Sequence, residues 1–414
     1  MPNAGAWWFL TDLPFLHKTF RVYYAGSMSG RQITWTGVAL TLGLLVDGTA
    51  GAYPQWQLST GAERCNQCHY APAGGGLLTS YGRQAAGDDL STFGGDGAFL
   101  HGAVSLPSWL ALGGDLRGAM VAEDVQDPAG PTVAAFPMQA DASARVTIPG
   151  TGLSLNGIVG FRGQTRDPDA LVPIQNFQPV STSRFISREH YLMLQPETLG
   201  PYLRLGRFFA PFGLRLAEHT LYIRRDLGFD QLRESYTFSV GVVQARWETH
   251  LSLFAPDFVR HIGGDETGAA AYYEHRLLDG RAALAGQAKV GESPGVTRLV
   301  LGIVAKGYLE RLRTLAFLEV DGVQLAFGDP AVTARRQIVS AAGVTWIPIP
   351  GIVATVLGER NQLDVQFPDA WTAATALLSW FPYAHCEVQV MGRLQAATGS
   401  ETARTFFAQL HYFL

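Results

Sequence analysis

The sequence predicts an all-β fold: an antiparallel transmembrane β-barrel of about sixteen strands that follows a small N-terminal helical segment. Three observations support this prediction. Apolar and polar residues alternate with a period of two from residue 108 to the end, and no apolar run after residue 52 is long enough for a membrane helix. The intervals between the predicted strands are alternately long and short, as in outer-membrane barrels, which have short periplasmic turns and longer external loops.

The N-terminal region has the pattern of an export signal. From Met28 a short positively charged stretch is followed by an apolar run and by the small residues Ala-Gly-Ala at 50–52. This pattern is typical of a secretory signal peptide, and the apolar run is too short to span a bilayer comfortably. We therefore interpret residues 1–52 as a leader, with the true start at Met28 and cleavage before Tyr53. An uncleaved membrane anchor is the alternative.

A short motif lies in the helical segment, residues 53–107. Residues 65–69 read CNQCH, and Cys65 and Cys68 are two of the three cysteines in the chain. This C-x-x-C-H spacing is typical of a c-type haem attachment site, because both thiols can add to vinyl groups of the same porphyrin and the histidine that follows can ligate the iron. We predict one covalent haem c, with Cys65 and Cys68 as thioether donors and His69 as the proximal ligand. Half of a zinc site and a redox dithiol are the alternatives.

The sixth ligand of the haem iron has few candidates near the motif. Residues 53–107 contain no methionine, and His101 is the only other histidine among them. Haem iron accepts histidine or methionine as an axial ligand, so we predict that His69 and His101 both bind the metal. The alternatives are Met120, which is the next methionine along the chain, an open coordination position, and a surface role for His101.

Residues 108–414 contain the predicted strands. At 137–149, 297–308, 384–395 and 404–414, apolar or small residues alternate with polar ones, so each strand has one apolar and one polar face. Charged residues on the polar faces would be costly in lipid but are tolerated in a wet lumen. These residues are Arg145, Arg162, Arg188, Glu319, Glu387 and Arg393. Cys386, by contrast, is on the apolar face of its strand, and we expect it to contact lipid.

The connections between the strands differ on the two sides of the predicted barrel. Connections after odd-numbered strands include long ones at 165–184 and 210–235, whereas a connection after an even-numbered strand is as short as 150–151. The loop at 210–235 is long enough to fold into the lumen, where its arginines Arg215, Arg224 and Arg225 would line a constriction. A soluble β-sandwich would show the same alternation along its strands and is the alternative fold.

The signal peptide, the single CNQCH motif and a barrel that continues to the C-terminus together resemble the outer-membrane monohaem cytochrome–porin fusions, whose best-known members are iron oxidases. The resemblance covers residues 28–414 and is specific at the haem motif. It implies a location in the bacterial outer membrane and a haem segment in or against the lumen. It also implies electron conduction between an extracellular donor or acceptor and a periplasmic electron carrier. The segment 206–228 is similar to a stretch found in porin-like barrels.

Composition limits the other function classes. The formal net charge is −4 and no basic block is present, so we expect no nucleic-acid partner, and outer-membrane lipid is the expected surroundings of the barrel. We predict electron transfer through a single haem c, with iron(II) oxidation as a candidate activity and carboxylates of the external loops as candidate iron ligands. The alternatives are a diffusion porin whose haem segment is a plug or sensor, and a soluble periplasmic haem enzyme with an open iron site.

Overall fold

The computed structural model describes residues 54–59, 62, 64–124, 132–161, 185–218, 220–229, 233–258 and 266–414. The predicted leader, its cleavage site before Tyr53 and Arg162 lie outside these residues. Within the described part of the chain, no helix is both long and apolar enough to cross a membrane.

The strands close into one antiparallel barrel. Each strand pairs with its neighbours in the sequence, and the last strand pairs with the first. The described residues form β1 (Leu110–Asp124), β2 (Thr132–Thr147), β3 (Leu153–Phe161), β4 (Phe185–Leu194), β5 (Gly200–Phe208), β6 (Ser235–Val243), β7 (Trp247–Ala255), β8 (Thr267–Leu277), β9 (Ala282–Ser293), β10 (Val296–Leu309), β11 (Thr314–Phe327), β12 (Arg335–Ile349), β13 (Ile352–Gln362), β14 (Ala370–Trp380), β15 (Cys386–Ala397) and β16 (Ala403–Phe413). This 16-stranded barrel confirms the predicted fold class.

Four short α-helices accompany the barrel in the described residues. Helices α1 (Pro54–Ser59), α2 (Cys65–Cys68) and α3 (Ser80–Asp88) precede β1, and α4 (Tyr222–Arg225) lies in the connection between β5 and β6. A 3-10 turn at Phe99–Gly102 joins α3 to the barrel. The part of the chain before β1 is therefore helical, as the sequence predicts.

The two faces of the strands differ as the alternation predicts. In β10 the side chains of Leu299, Leu301 and Ile303 are exposed on the outer surface, whereas Val300 between them and Lys306 further along the strand are buried inside the barrel. Around the barrel such outward apolar side chains form the belt that a lipid bilayer would cover. Exposed aromatic side chains lie at the end of the barrel that has the short turns, where Trp and Tyr favour a membrane interface. These are Trp109, Trp346, Trp380 and Tyr383.

The inner face of the barrel is rich in polar groups, and several of its charges are paired. Arg393 contacts Glu359, Lys289 lies 2.6 Å from Glu266, and Arg188 lies 2.9 Å from Asp141. Buried charges require such partners because they have left water. The inward orientation predicted for Arg145, Arg188, Glu319, Glu387 and Arg393 is confirmed.

Strands β1 and β2 extend further at their external end than the alternation predicts. The alternation predicts a first strand at 108–118 and a second at 137–149, but pairing continues to Glu123 opposite Thr132. A register shift after Arg117 leaves Met138 of β2 without a partner in β1. A bulge of this kind interrupts the period of two, and this is why the sequence pattern misses the outer parts of both strands.

The connection between β5 and β6 folds into the barrel. Its side chains Phe212, Leu214 and Tyr222 are buried. The backbone N–H of Leu214 donates to Glu319 Oε2 at 2.7 Å, and that of Tyr222 donates to Glu359 Oε1 at 2.6 Å. We call residues 209–229 the inserted loop, and its position confirms that the loop enters the lumen. Its Arg224 side chain makes hydrogen bonds within the loop, because it donates to the carbonyls of Leu216 and Ala217.

Candidate haem-binding site

The CNQCH motif forms a single helical turn. The backbone N–H of His69 donates to the Cys65 carbonyl at 2.9 Å and closes the turn. Residues three apart lie on the same side of a helix, so the Cys65 and Cys68 side chains point in a common direction. The local structure therefore presents both thiols to one ligand and places His69 directly after them.

A glycine run returns the chain to the motif. Gly74, Gly75 and Gly76 have φ values of 80°, 79° and 64°, a left-handed conformation that other residues adopt only with strain. The chain reverses here, and His69 and Leu78 form an antiparallel bridge. The three glycines thus allow the segment after the motif to pack against the motif itself.

Helix α3 packs tightly on the second cysteine. The Thr79 hydroxyl accepts a hydrogen bond from the Gly82 N–H at 3.1 Å and caps the helix, while the Thr79 N–H donates to the Cys68 carbonyl at 2.9 Å. A Cβ atom on Gly82 would lie 2.3 Å from the Cys68 carbonyl oxygen. Only glycine permits this approach of the helix to the motif.

A cavity inside the barrel is bounded by the motif. Its walls include Cys65, Cys68 and His69, and it encloses about 860 Å³ of space between protein atoms, including a part that is open to solvent. Trp56, Leu78, Phe381 and Phe413 form an apolar wall, and Arg64, Arg215, Lys306 and Glu274 provide charged groups. Apolar surfaces beside cationic side chains fit a porphyrin, which has an apolar plane and propionate carboxylates.

The His69 side chain is buried and uncharged. Its Nδ1 makes no hydrogen bond of normal geometry with a described residue. Burial lowers the pKa of His69 to about 4, an effect that backbone groups of Gly76 and Gly75 oppose in part. The ring is therefore neutral at physiological pH, which is the form of histidine that binds metals.

The two thiols do not have the surroundings of a redox dithiol. Burial raises the pKa of Cys68 to about 11, with Cys65 and Asp89 contributing in the same direction. Burial also raises the pKa of Cys65, although the nearby Arg215 opposes it. Reactive dithiols need a lowered thiol pKa. The surroundings of the two thiols thus do not favour disulfide exchange.

The barrel wall and the inserted loop complete the site. Arg215 of the inserted loop donates to the Ala73 carbonyl at 2.6 Å, lies 3.7 Å from the Cys65 sulfur and stacks over the Tyr272 ring. Lys306 donates to Gln57 Oε1 at 2.9 Å. The helical segment and the inserted loop therefore meet inside the barrel, and the motif is enclosed where they meet.

The structure does not bring His101 to the motif. His101 is exposed on the 3-10 turn, where its Nδ1 lies 3.1 Å from the Asp96 carbonyl and its Nε2 lies 2.6 Å from the Tyr412 hydroxyl. Tyr412 is on the outward face of β16, so the His101 ring lies outside the lumen. Met120, the alternative, is exposed on the outward face of β1. Ligation by His101 stays a prediction, and these contacts do not support it.

One histidine that sequence reasoning missed does line the cavity. His411 of β16 is buried on the inner face, and its Nδ1 lies 2.6 Å from Glu387 Oε2. The alternation of the last strand could have predicted this position. The predicted apolar face of that strand comprises Phe406, Leu410 and their alternate neighbours. His411 belongs to the opposite face and hence to the lumen.

Three described acidic residues of the external connections pair with cationic side chains. Asp226 pairs with Arg225, Asp257 with Arg207, and Glu266 with Lys289. Among the residues that the structure describes, no group of three or more His, Cys, Asp and Glu side chains is arranged to hold a metal ion. The predicted gathering of iron by loop carboxylates is not supported in this part of the chain.

Comparison with known proteins identifies the fold. No family model matches the chain, and no curated protein sequence matches it. Among solved structures, OmpT of Vibrio cholerae expressed in the outer membrane superposes with a TM-score of 0.56 at 11% identity, over 75% of this chain and 100% of OmpT. OprB of Pseudomonas putida has a TM-score of 0.56 at 8% identity, over 74% and 94%. The outer-membrane channel DcaP of Acinetobacter baumannii has a TM-score of 0.50 at 11% identity, over 74% and 97%.

These identities show a likeness of fold alone. The likeness agrees with the closed sheet, the exposed apolar belt and the polar interior. The chain therefore has the porin-like fold of bacterial outer-membrane β-barrel proteins, and its exposed apolar belt suits outer-membrane lipid.

Proposed function

We propose that this protein transfers electrons across the outer membrane through one haem c attached to Cys65 and Cys68 inside the barrel. One observation carries the proposal: both cysteines and His69 line a single lumenal cavity that also has an apolar wall and the cationic side chains of Arg64, Arg215 and Lys306. When bound, haem c supplies a one-electron iron couple, while the protein sets its ligation, its surroundings and its access to partners. A haem bound inside a membrane barrel could pass electrons between the two sides of the membrane.

The contacts of the helical segment lie at one end of the barrel. The Asn66 amide donates to the Thr198 carbonyl at 2.6 Å, in the short turn between β4 and β5. The Thr92 N–H donates to the Phe381 carbonyl at 2.8 Å, in the short turn between β14 and β15. Short turns face the periplasm in such barrels. The site therefore lies toward the periplasmic end, where a soluble electron carrier could approach it.

The external side of the site is closed by the inserted loop. An extracellular donor or acceptor would exchange electrons across that loop or enter the second lumenal cavity, which encloses about 1400 Å³ and is lined by charged side chains. We include ferrous iron among the candidate donors because the chain resembles iron-oxidising cytochrome–porin fusions. Iron(II) is here a substrate and not a resident group of the protein.

The test uses the protein matured with haem-attachment machinery. Replacement of both motif cysteines, Cys65→Ser with Cys68→Ser, is expected to abolish covalent haem staining, the haem absorbance of purified outer membranes and oxidation of added ferrous iron. Cys386→Ser is the matched control, since Cys386 lies on the outer face of β15, and it should retain all three. Covalent haem or unchanged redox activity in the double variant would overturn the proposal.

The second candidate is a diffusion porin whose haem segment is a plug or sensor. The polar lumen and the likeness of the fold to an outer-membrane channel favour it. The filling of the lumen by the helical segment and the inserted loop opposes it. Ion conductance of the holoprotein in planar bilayers, together with the redox assay, separates the two: a diffusion porin conducts solutes and transfers no electrons.

A further inference from the structure

His411 projects from the barrel wall into the cavity that the motif occupies. Its side chain is 1% exposed and lines the same cavity as Cys65, Cys68 and His69. Its ring lies 5.3 Å from the ring of Phe413, which belongs to the apolar wall of the cavity. His69 and His411 thus approach one space from different elements, the helical segment and strand β16.

Hydrogen bonding leaves one ring nitrogen of His411 available. The Nδ1 atom lies 2.6 Å from Glu387 Oε2 and donates its proton to that carboxylate. The Nε2 atom makes no hydrogen bond with a described residue, and the Asp115 carboxylate is 3.7 Å away from it. Asp115 already accepts from Arg117 at 3.2 Å and from Gln139 at 2.9 Å. A carboxylate on one ring nitrogen fixes the tautomer and leaves the other as a lone-pair donor, an arrangement common among metal-binding histidines.

Two other lining side chains that could ligate haem iron, Lys306 and Tyr272, are hydrogen-bonded to Glu274. Lys306 donates to Glu274 Oε2 at 2.6 Å, and the Tyr272 hydroxyl donates to the same atom at 2.7 Å. The described lining of the cavity contains no methionine, and His101 is outside it. Histidine is a common axial ligand of haem iron. His411 is therefore the lining side chain best placed to reach the open side of the metal.

We propose that His411 Nε2 is the sixth ligand of the haem iron and that Glu387 is its positioning residue, an inference that rests on the proposed haem c. The iron would then be held by one histidine from the helical segment and one from the barrel wall. Ligation would join the two parts of the protein and keep the haem in the lumen.

The test measures the haem spectrum of the full-length holoprotein. With two histidine ligands, the parent is expected to be low-spin in both oxidation states and slow to bind carbon monoxide. His411→Ala is expected to give a high-spin ferric spectrum, rapid binding of carbon monoxide to the reduced form, and a return to the low-spin spectrum with added imidazole. The matched control is His101→Ala, which should keep the parent spectrum. An unchanged spectrum in His411→Ala, or a change only in His101→Ala, would overturn the proposal.

Two further variants separate ligation from a structural role. His411→Met keeps a ligand of similar length and should stay low-spin with a higher reduction potential, because replacement of an axial histidine by methionine raises the potential. Glu387→Gln should remain low-spin, and its reduction potential should differ from that of the parent by less than the potential of His411→Met does. A potential that His411→Met leaves unchanged would contradict ligation even if His411→Ala fails to fold.

Failure of this inference is distinguishable from failure of the proposed function. Absence of covalent haem on the parent protein would overturn both. Covalent haem and active electron transfer in the parent, combined with an unaltered spectrum in His411→Ala, would overturn the ligand assignment and leave the function standing.

Discussion

Gly82 shows how closely single residues control the site. The backbone of Cys68 occupies the space where a Cβ atom on Gly82 would lie, and a backbone carbonyl cannot move aside as a flexible side chain can. Overpacking of this kind costs about 1–3 kcal/mol. Gly82→Ala should therefore lower the haem content of the purified protein and destabilise helix α3. Gly392→Ala is the control, because a Cβ there meets no atom within 4 Å. Equal haem content in the two variants would show that α3 does not support the motif.

The histidines show what the sequence can and cannot provide at this scale. Cys65, Cys68 and His69 are predicted from their spacing, because a haem attachment site needs neighbours along the chain. A sixth ligand, as proposed above, would depend on spatial proximity, which distance along the chain does not reveal. His101 is near the motif in sequence, yet it lies outside the lumen, bonded to Tyr412. His411 is distant in sequence and lines the cavity.

The strands could be predicted because their signal is local. Alternation with a period of two assigns each residue to a face, and this was sufficient for the inward charges and for Cys386 on the outer face. It failed where a bulge at Met138 interrupts the period, so the outer ends of β1 and β2 were missed. The packing of the inserted loop depends on hydrogen bonds to Glu319 and Glu359, which are far away in sequence and form no local pattern.

The periplasmic turn before β15 contains a buried histidine, His385, whose charge changes with pH. His385 is fully buried there beside His101, and burial lowers the pKa of His385 to about 4, with His101 and Arg83 contributing and the backbone of Ala98 and Phe413 opposing. Its ordinary pKa is 6.5. The fold therefore favours the neutral ring, and the resulting stability is present above pH 6.5 and is lost as the pH falls toward 4.

We expect the contact between this turn and the helical segment to loosen over that pH range. Proteolysis at residues 92–105 should accelerate between pH 6.5 and pH 4 in the parent, and His385→Gln should show a flatter dependence because its side chain does not titrate. A parent protein with the same protease sensitivity at both pH values would contradict the assignment.

In the whole molecule, the helical segment and the inserted loop both lie inside a closed barrel. Closure pairs β1 with β16, so the C-terminal strand lies beside the strand that directly follows the helical segment. That topology explains why a residue near the C-terminus can face a motif near residue 65. The segment enters from the periplasmic end and the inserted loop comes from the external end, and Arg215 joins them through the Ala73 carbonyl.

Deletion of residues 53–107 tests this arrangement. With the leader and strands retained, the variant should fold as a barrel and conduct ions better than the parent in planar bilayers, because the periplasmic half of the lumen is emptied. The inserted loop remains, so we expect a partial opening. Conductance equal to that of the parent would place the segment outside the conducting path.

Electron transfer through reconstituted membranes tests the central claim most directly. Liposomes would contain the holoprotein, a membrane-impermeant reductant outside and an impermeant electron acceptor inside, with Cys386→Ser and the Cys65→Ser, Cys68→Ser double variant in parallel. We predict that the parent and Cys386→Ser reduce the entrapped acceptor and that the double variant does not. Reduction at the same rate by the double variant, or no reduction by a parent that carries covalent haem, would contradict the account.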